Sequence, residues 1–262
     1  MATVSLLIST CDKFSDLWDE HIALLRQHWK GNRWETYLVT DRQTNKKYDG
    51  IEIIVAGEDK DFPMRIKYAV EHIKTDYVLL TLDDYFIIND VNEGKLQYLV
   101  DRAHEEHIDY LKLYDRRMTN PRKYEPVERL SAIDLSKKYA VTVYPAIWNR
   151  SFLDNSVSSD MTAWKYEPSL TEYAKNKNAN CMFSHAGLFN ILDVVRKGKV
   201  LNKANKYFKK HGIDIGTRPL INRRTEIKLA IMDYVSWYTP RPIFIAGKQI
   251  LKRFGKTFYS ED

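Results

Sequence analysis

Four short apolar runs in the N-terminal part of the chain constrain its fold more than any other feature of the sequence. They lie at residues 4–9, 35–40, 51–55 and 77–82, and each has the length of a β-strand. Residues 14–29 and 64–73, which lie between these runs, carry apolar side chains at close to helical spacing. Strands that are apolar on both faces and alternate with helices predict an α/β fold, in which helices cover both faces of a mainly parallel sheet.

Acidic residues follow three of these four runs. Asp12 comes shortly after the first run, Asp41 directly after the second, and Asp83 and Asp84 directly after the fourth. Ligands of open α/β sheets bind at the carboxyl ends of the strands. The sequence therefore predicts that these side chains converge on one binding site.

The adjacent carboxylates of Asp83 and Asp84 indicate a metal site. Two carboxylates at the end of a buried strand repel each other and lose hydration, and a divalent cation relieves both costs. Mn²⁺ and Mg²⁺ prefer such oxygen ligands and bridge them to phosphates. The alternative is that Asp83 and Asp84 begin a turn and cap the next element.

The composition favours a globular protein of the cytoplasm. Hydrophobic residues make up 44% of the chain and charged residues 29%. The two cysteines, Cys11 and Cys181, are too few for a disulfide framework or a cysteine-based zinc site. The first apolar run is too short for a signal peptide, and no stretch approaches the roughly 20 apolar residues that cross a bilayer. No glycine-rich phosphate-binding loop is present in the sequence.

The order of these elements resembles the GT-A nucleotide-sugar glycosyltransferases, especially the bacterial enzymes that build surface polysaccharides. The resemblance rests on Ile8-Ser-Thr-Cys-Asp12, Leu38-Val-Thr-Asp41, the helical segment 65–73, and the strand and acids of 77–85. It covers roughly residues 3–190 and implies a GT-A, Rossmann-like fold. The strict DxD motif of that family has an acid where this chain has Tyr85.

The resemblance also implies roles for the strand-end residues. Thr10 and Asp12 would lie beside the base and ribose of a UDP-sugar, and Asp41 beside the base. Arg65 would approach the diphosphate. The alternatives are a strand-end turn residue for Asp41 and a solvated helix face for Arg65.

Asp84 would then be the principal ligand of Mn²⁺ or Mg²⁺. Asp83 would be a second metal ligand or would hold the ribose. His185, the one histidine between residues 108 and 210, would be an additional metal or diphosphate ligand. Its alternative is a structural histidine with satisfied hydrogen bonds.

The second half of the resemblance supplies an acceptor site and a catalytic base. Ala146-Ile-Trp-Asn-Arg150, which contains Trp148 and Asn149, is similar to the acceptor-side segment of the family. Thr162-Ala-Trp-Lys-Tyr-Glu-Pro168, which contains Trp164, is similar to its tryptophan-and-acid motif. The resemblance implies that Glu167 accepts a proton from the acceptor hydroxyl, with Asp160 as the reserve candidate. The alternative for Glu167 is an acid in the first turn of a helix, stabilised by the helix dipole.

Charge divides the chain into two regions. Residues 1–194 carry 25 Lys and Arg against 30 Asp and Glu, whereas residues 195–257 carry 16 against 3. We expect a catalytic domain at 1–194, with a nucleotide-sugar half at about 1–95 and an acceptor half at about 96–194. We expect a basic helical region at 195–262.

The basic region is predicted to attract an anionic membrane surface. Residues 243–254 mix large apolar side chains with basic ones, as helices at membrane interfaces do. The alternative is a C-terminal helix that packs its apolar face on the core. No nucleic-acid motif is present in the sequence, so we expect no nucleic-acid partner.

The resemblance, together with the strand-end acids, implies an inverting glycosyltransferase that moves a sugar from a nucleotide-sugar donor to a polysaccharide or lipid-linked glycan. A sugar nucleotidyltransferase is the nearest alternative enzyme, but it requires a basic glycine-rich loop near the N-terminus that this chain lacks. A non-catalytic module that binds polyanions or membranes would explain the basic region. It would leave the three strand-end acidic sites unexplained.

Overall fold

The structure is a computed structural model that describes residues 1–115, 126–137, 139–158 and 163–238, without the side chains of 163, 164 and 236–238. The chain divides into two compact units, Met1–Asp193 and Val194–Asp262. Within the described residues, no helix combines the length and the apolar character needed to cross a membrane.

The first unit is built on an eight-stranded sheet with the strand order β3-β2-β1-β4-β8-β6-β9-β7. Strands β1, β2, β3, β4, β6 and β9 run in one direction, and β8 and β7 run in the other. A separate two-stranded ladder pairs β5 with β10. The strands are β1 (Val4–Ser9), β2 (Thr36–Thr40), β3 (Ile51–Val55), β4 (Tyr77–Leu82), β5 (Tyr85–Ile87), β6 (Tyr110–Lys112), β7 (Leu130–Ala132), β8 (Ala146–Asn149), β9 (Cys181–Ser184) and β10 (Ile191–Asp193).

Helices cover both faces of this sheet, as predicted. A 3₁₀ helix (Asp12–Leu17) leads into α1 (Trp18–His28), which packs on one face together with α3 (Glu93–Glu105). The opposite face is covered by α2 (Phe62–His72), α4 (Arg150–Asn155) and α5 (Ala163–Asn176). Alternate residues of each strand enter one or the other of these two cores, which is why β1 and β2 are buried along their whole length.

The local sequence explains where the helices begin. Pro63 stands in the first turn of α2, where a missing backbone N–H costs no hydrogen bond. The side chain of Asn92 accepts from the backbone N–H of Lys95 and caps α3. Helix α2 therefore begins slightly earlier than the helical segment predicted at 64–73.

The apolar segment at residues 139–147 does not form one continuous strand. Only β8 is extended within this region. Tyr139 has a φ of 58°, which interrupts an extended chain. The N–H of Val141 donates to the hydroxyl of Thr171 (3.1 Å), and the hydroxyl of Tyr110 donates to the carbonyl of Thr142 (3.0 Å). Side chains, rather than a neighbouring strand, therefore bind this backbone.

The described part of the second unit contains a short hairpin and two helices. Its elements are β11 (Val195–Arg196), β12 (Lys199–Val200), α6 (Asn202–His211) and α7 (Arg223–Tyr238). Lys197 and Gly198 both have positive φ angles, as a tight two-residue hairpin turn requires. In α6, Ala204 and Phe208 are buried, whereas its lysines are largely exposed.

Candidate active site

The predicted strand-end residues lie at one edge of the sheet. Strands β1, β2 and β4 are mutually parallel neighbours, and Ser9 is the register partner of both Val39 and Leu82. Thr10, Asp41 and Asp83 therefore leave the sheet side by side. The structure brings together this part of the predicted site.

Asp83 is buried and held by a chain of hydrogen bonds. The hydroxyl of Thr10 donates to the Asp83 carboxylate, and the indole Nε1 of Trp18 donates to the Thr10 hydroxyl (2.8 Å). The backbone N–H of Asp83 donates to the carbonyl of Ser9 (3.3 Å). Asp83 and Asp84 form the turn between β4 and β5, so the predicted turn and the predicted ligand site coincide.

His21 of α1 fixes the backbone of the same turn. Its Nδ1 lies 3.0 Å from the carbonyl oxygen of Asp83, and because a carbonyl only accepts, Nδ1 carries the proton. Burial lowers the pKa of His21 to about 4, so the ring is neutral at pH 7. Its edge contacts the ring of Phe86 at a centroid distance of 5.2 Å. The sequence analysis did not select His21, because its position on a helix carried no metal-binding spacing.

Asp41 accepts hydrogen bonds from neighbouring residues. The backbone N–H of Asp12 donates to its Oδ1 (2.6 Å), and the hydroxyl of Thr40 lies at 3.3 Å. Burial raises the pKa of Asp41, but backbone hydrogen bonds and the charge of Arg65 outweigh burial, and the net pKa is lowered. Asp41 is therefore ionised at neutral pH and orients the loop after β1.

Arg65 lies in the interior and supports the same loop. Its Nε donates to the carbonyl of Thr10 (3.1 Å), and its terminal nitrogen donates to the carbonyl of Lys60 (2.8 Å). The residue is only 9% exposed, so the alternative of a solvated helix face is wrong. Its position beside the strand-end loop also brings its charge to the predicted nucleotide site.

Several titratable groups surround the hydroxyl of Tyr85. Burial raises the pKa of Tyr85 well above its ordinary value, and the charges of Asp84, Asp193 and Glu167 raise it further. Asp193 is the direct cross-strand partner of Tyr85 in the β5–β10 ladder. The sequence analysis missed Asp193; the available signal was an acid inside the apolar run 191–195.

Glu167 lies in the second turn of α5, not in the first, which removes the alternative of a dipole-stabilised first-turn acid. Burial raises the pKa of its carboxyl above the ordinary value. A hydrogen bond from the backbone N–H of Val143 and the charge of Lys112 oppose this rise. The structure thus brings Glu167 into the electrostatic surroundings of Tyr85.

Trp148, Asn149 and Arg150 lie elsewhere, which corrects the expectation that they flank the site. Strand β8 runs antiparallel to β4, and Asn149 is the register partner of Tyr77 at the beginning of β4. These residues are therefore at the opposite edge of the sheet from Asp83. Trp148 is fully buried, Asn149 caps α4 through the N–H of Phe152, and Arg150 donates to the carbonyl of Thr75.

His185 follows β9, which two strands separate from β4 in the sheet. Its Nε2 lies 2.9 Å from the hydroxyl of Ser131 on β7, and this contact fits its structural alternative. The structure does not bring it together with the acids after β4. Asp160 and the side chain of Trp164 lie outside the described residues.

The carboxylates at this edge of the sheet are suitable ligands for a cation that is also bound by substrate phosphates. In the described parts of the chain, no three His, Cys, Asp or Glu side chains are grouped so that they alone could hold a metal ion. Mg²⁺-type cations are commonly bound by one or two carboxylates together with substrate phosphates. The Asp83-Asp84 pair fits that arrangement.

Solved structures share the fold. TarS 1–349 from S. aureus in complex with UDP-GlcNAc matches with a TM-score of 0.53 and 17% identity, over 76% of this chain and 60% of that chain. The mannosyltransferase PcManGT from Pyrobaculum calidifontis, in complex with GDP-Man and Mn²⁺, matches with a TM-score of 0.52 and 14% identity, over 83% of this chain and 66% of that chain. The chain thus spans less than two thirds of the length of either protein.

These likenesses define the class of fold. TarS is a GT-A glycosyltransferase, and the mainly parallel sheet with helices on both faces is the GT-A, Rossmann-like fold of nucleotide-sugar glycosyltransferases. The predicted fold is therefore confirmed. No protein-family model and no curated protein sequence matches the chain.

The buried neutral His21 predicts an acid-sensitive step in stability. The unfolded histidine has a pKa near 6.5 and the folded one about 4, so unfolding takes up a proton between these values. We expect its contribution to stability to be complete above pH 6.5 and to fall by up to about 1.4 kcal/mol per pH unit on acidification. Denaturant unfolding at several pH values measures this.

The variant His21→Gln should weaken this pH dependence, because it removes the titrating group. The exposed His211→Gln should leave the pH dependence unchanged. If the free energy of unfolding changes with pH equally in His21→Gln and in the unmodified protein, the prediction is wrong.

Proposed function

We propose that this protein is an inverting glycosyltransferase that transfers a sugar from a UDP-sugar to a hydroxyl group of a polysaccharide or lipid-linked glycan. The observation that carries the proposal is the convergence of Asp84 and Glu167 on the surroundings of one tyrosine, Tyr85. Direct transfer requires a metal ligand for the donor phosphate and a base for the acceptor hydroxyl within one site. The GT-A fold supports the same conclusion.

The loops after β1, β2 and β4 are the proposed donor site. Thr10, Asp12 and Asp41 border the space for the base and ribose, and their network of backbone and side-chain hydrogen bonds supports a fixed orientation. Asp84, assisted by Asp83, would hold a Mn²⁺ or Mg²⁺ ion together with the donor diphosphate. The bound cation would neutralise charge on the departing nucleotide.

Glu167 is the proposed general base. Its carboxylate accepts the proton of the acceptor hydroxyl while that oxygen bonds to the anomeric carbon and the bond to the diphosphate breaks. Its raised pKa supports this role, because a carboxylate with a higher pKa is a stronger base near neutral pH. Attack from the side opposite the diphosphate inverts the anomeric configuration.

The solved structures with ligands support the class of donor. TarS binds UDP-GlcNAc, and PcManGT binds GDP-Man and Mn²⁺ in the matching complexes. We propose a UDP-sugar for this chain. Hydrolysis and transfer assays with UDP-GlcNAc, other UDP-sugars and GDP-Man, each with Mn²⁺, test the choice of nucleotide.

The variant Asp84→Ala should abolish transfer and weaken Mn²⁺-dependent binding of UDP. We expect a loss of binding of at least about tenfold, which is the scale of removing a partner of a metal site. Asp90→Ala is the matched control, because its side chain is 91% exposed and lies just after β5. Calorimetry of UDP with and without Mn²⁺ measures the effect; unchanged binding in Asp84→Ala would overturn the assignment.

The variant Glu167→Gln should keep donor binding and lose transfer by roughly two to four orders of magnitude. Glu172→Gln, an exposed acid on the same helix, should transfer at a normal rate. In the unmodified enzyme, kcat should rise with pH through a pKa above that of an ordinary glutamate, because only the deprotonated carboxylate is a base. Near-normal transfer by Glu167→Gln, or retention of configuration, would exclude the role.

We further propose that the basic C-terminal region holds the enzyme at an anionic cytoplasmic membrane surface, where a lipid-linked acceptor is presented. The lysines of α6 are exposed, and so are Ile227, Ile231 and Tyr234 of α7. Each basic residue near an anionic surface contributes about 1 kcal/mol, within a Debye length. Exposed apolar side chains add to binding when they insert into the interface.

Deletion of residues 243–262, which lie outside the described residues, tests the membrane proposal. It should reduce co-sedimentation with phosphatidylserine vesicles, and raised salt should reduce co-sedimentation of the full chain. Neutral phosphatidylcholine vesicles are the control. Hydrolysis of the soluble donor should change little, and equal sedimentation of both forms at low salt would contradict the proposal.

A further inference from the structure

Lys112, the last residue of β6, is a lysine in an interior position. It is only 3% exposed, and lysine is rarely buried without a charged partner. Its Nζ lies 3.6 Å from Oδ2 of Asp115, which is also buried. None of the functions argued above accounts for the cost of burying this ion pair.

The alternation of β6 directs Lys112 toward the helix that carries Glu167. Tyr110, two residues earlier on the same strand, lies in the core beneath α5, together with Tyr166 and Leu170. Ala146, the register partner of Lys112 on β8, belongs to the same core. The ammonium therefore emerges at the carboxyl edge of the sheet, on the α5 side.

The groups that act on Glu167 come from β5, from β6 and from the loop before β8. Tyr85 of β5 and Tyr139 lie within electrostatic range, and Val143 donates its backbone N–H. Within the described residues, Lys112 is the cation that acts on the Glu167 carboxyl. The positive charge of the Lys112 ammonium thus acts on two carboxylates, those of Asp115 and Glu167.

We propose that Lys112 is a positioning residue that keeps the Glu167 carboxylate deprotonated and directed toward the acceptor. Burial alone favours the protonated carboxyl, which cannot accept a proton. A fixed positive charge favours the ionised form without occupying the space of the substrate. The inference rests on the proposed role of Glu167 as the base.

The variant Lys112→Met tests the proposal through the titration of Glu167. We expect the pKa of Glu167 to rise by about one pH unit or more, because a nearby opposite charge shifts a carboxyl by that scale. Carbon-13 NMR of labelled glutamate carboxyls measures the titration, and the signal missing from Glu167→Gln identifies the residue. The acidic limb of the pH dependence of kcat should move to higher pH by the same amount. Lys112→Arg keeps a positive charge and should return both the pKa of Glu167 and the kcat profile to those of the unmodified protein.

Lys112→Met removes an ion-pair partner of the buried Asp115 and can lower stability. The double variant Lys112→Met/Asp115→Asn removes both charges of this ion pair, so it should fold and show the same rise in the pKa of Glu167. Asp115→Asn alone keeps the ammonium and should not raise the pKa of Glu167.

Two further outcomes separate this inference from the proposed function. An unchanged titration of Glu167 in both the single and the double variant would overturn the role of Lys112. A shifted titration with an unchanged kcat profile would instead show that Glu167 is not the base, and would overturn the catalytic part of the proposal.

Discussion

The parallel pairing of β1 with β4 is the constraint on which the candidate site depends. Because Ser9 and Leu82 are register partners, the residues that follow them emerge together at one edge of the sheet. The hydroxyl of Thr10 then reaches the carboxylate of Asp83, and Trp18 completes the chain of donors. A shift of one residue in this register would turn the strand side chains to the opposite core and separate the two loops.

The candidate site also has an electrostatic requirement, because several carboxylates lie at buried or partly buried positions in it. Burial favours the protonated form of each acid, and each is stabilised by a different local means. Asp83 accepts from a hydroxyl group, Asp41 accepts from backbone N–H groups, and Glu167 combines one N–H with the charge of Lys112. The pKa of Asp41 is lowered as a result, whereas burial still raises the pKa of Glu167.

Continuous apolar runs made the central strands predictable. The bounds of β1, β3 and β4 agree with the runs at 4–9, 51–55 and 77–82. Strands β1 and β4 are buried along nearly their whole length, and a strand buried on both faces must be mostly apolar. The short strands β5, β9 and β10 have three or four residues, too few for a periodic signal. Asp193 was therefore missed, since its place beside Tyr85 arises from pairing between distant segments. The segment at 146–150 was misplaced because nothing in its sequence reveals that β8 runs antiparallel to β4.

The sequence by itself determined the α/β class, the parallel core and the edge of the sheet where Asp12, Asp41 and Asp83 meet, because strand polarity and local order suffice for these features. It also marked Glu167 as the acid of interest. Only the tertiary structure decided which distant groups surround that acid. Lys112 reaches the surroundings of Glu167 because of the order and direction of the strands. The energy of long-range packing, not any local pattern, selects that order.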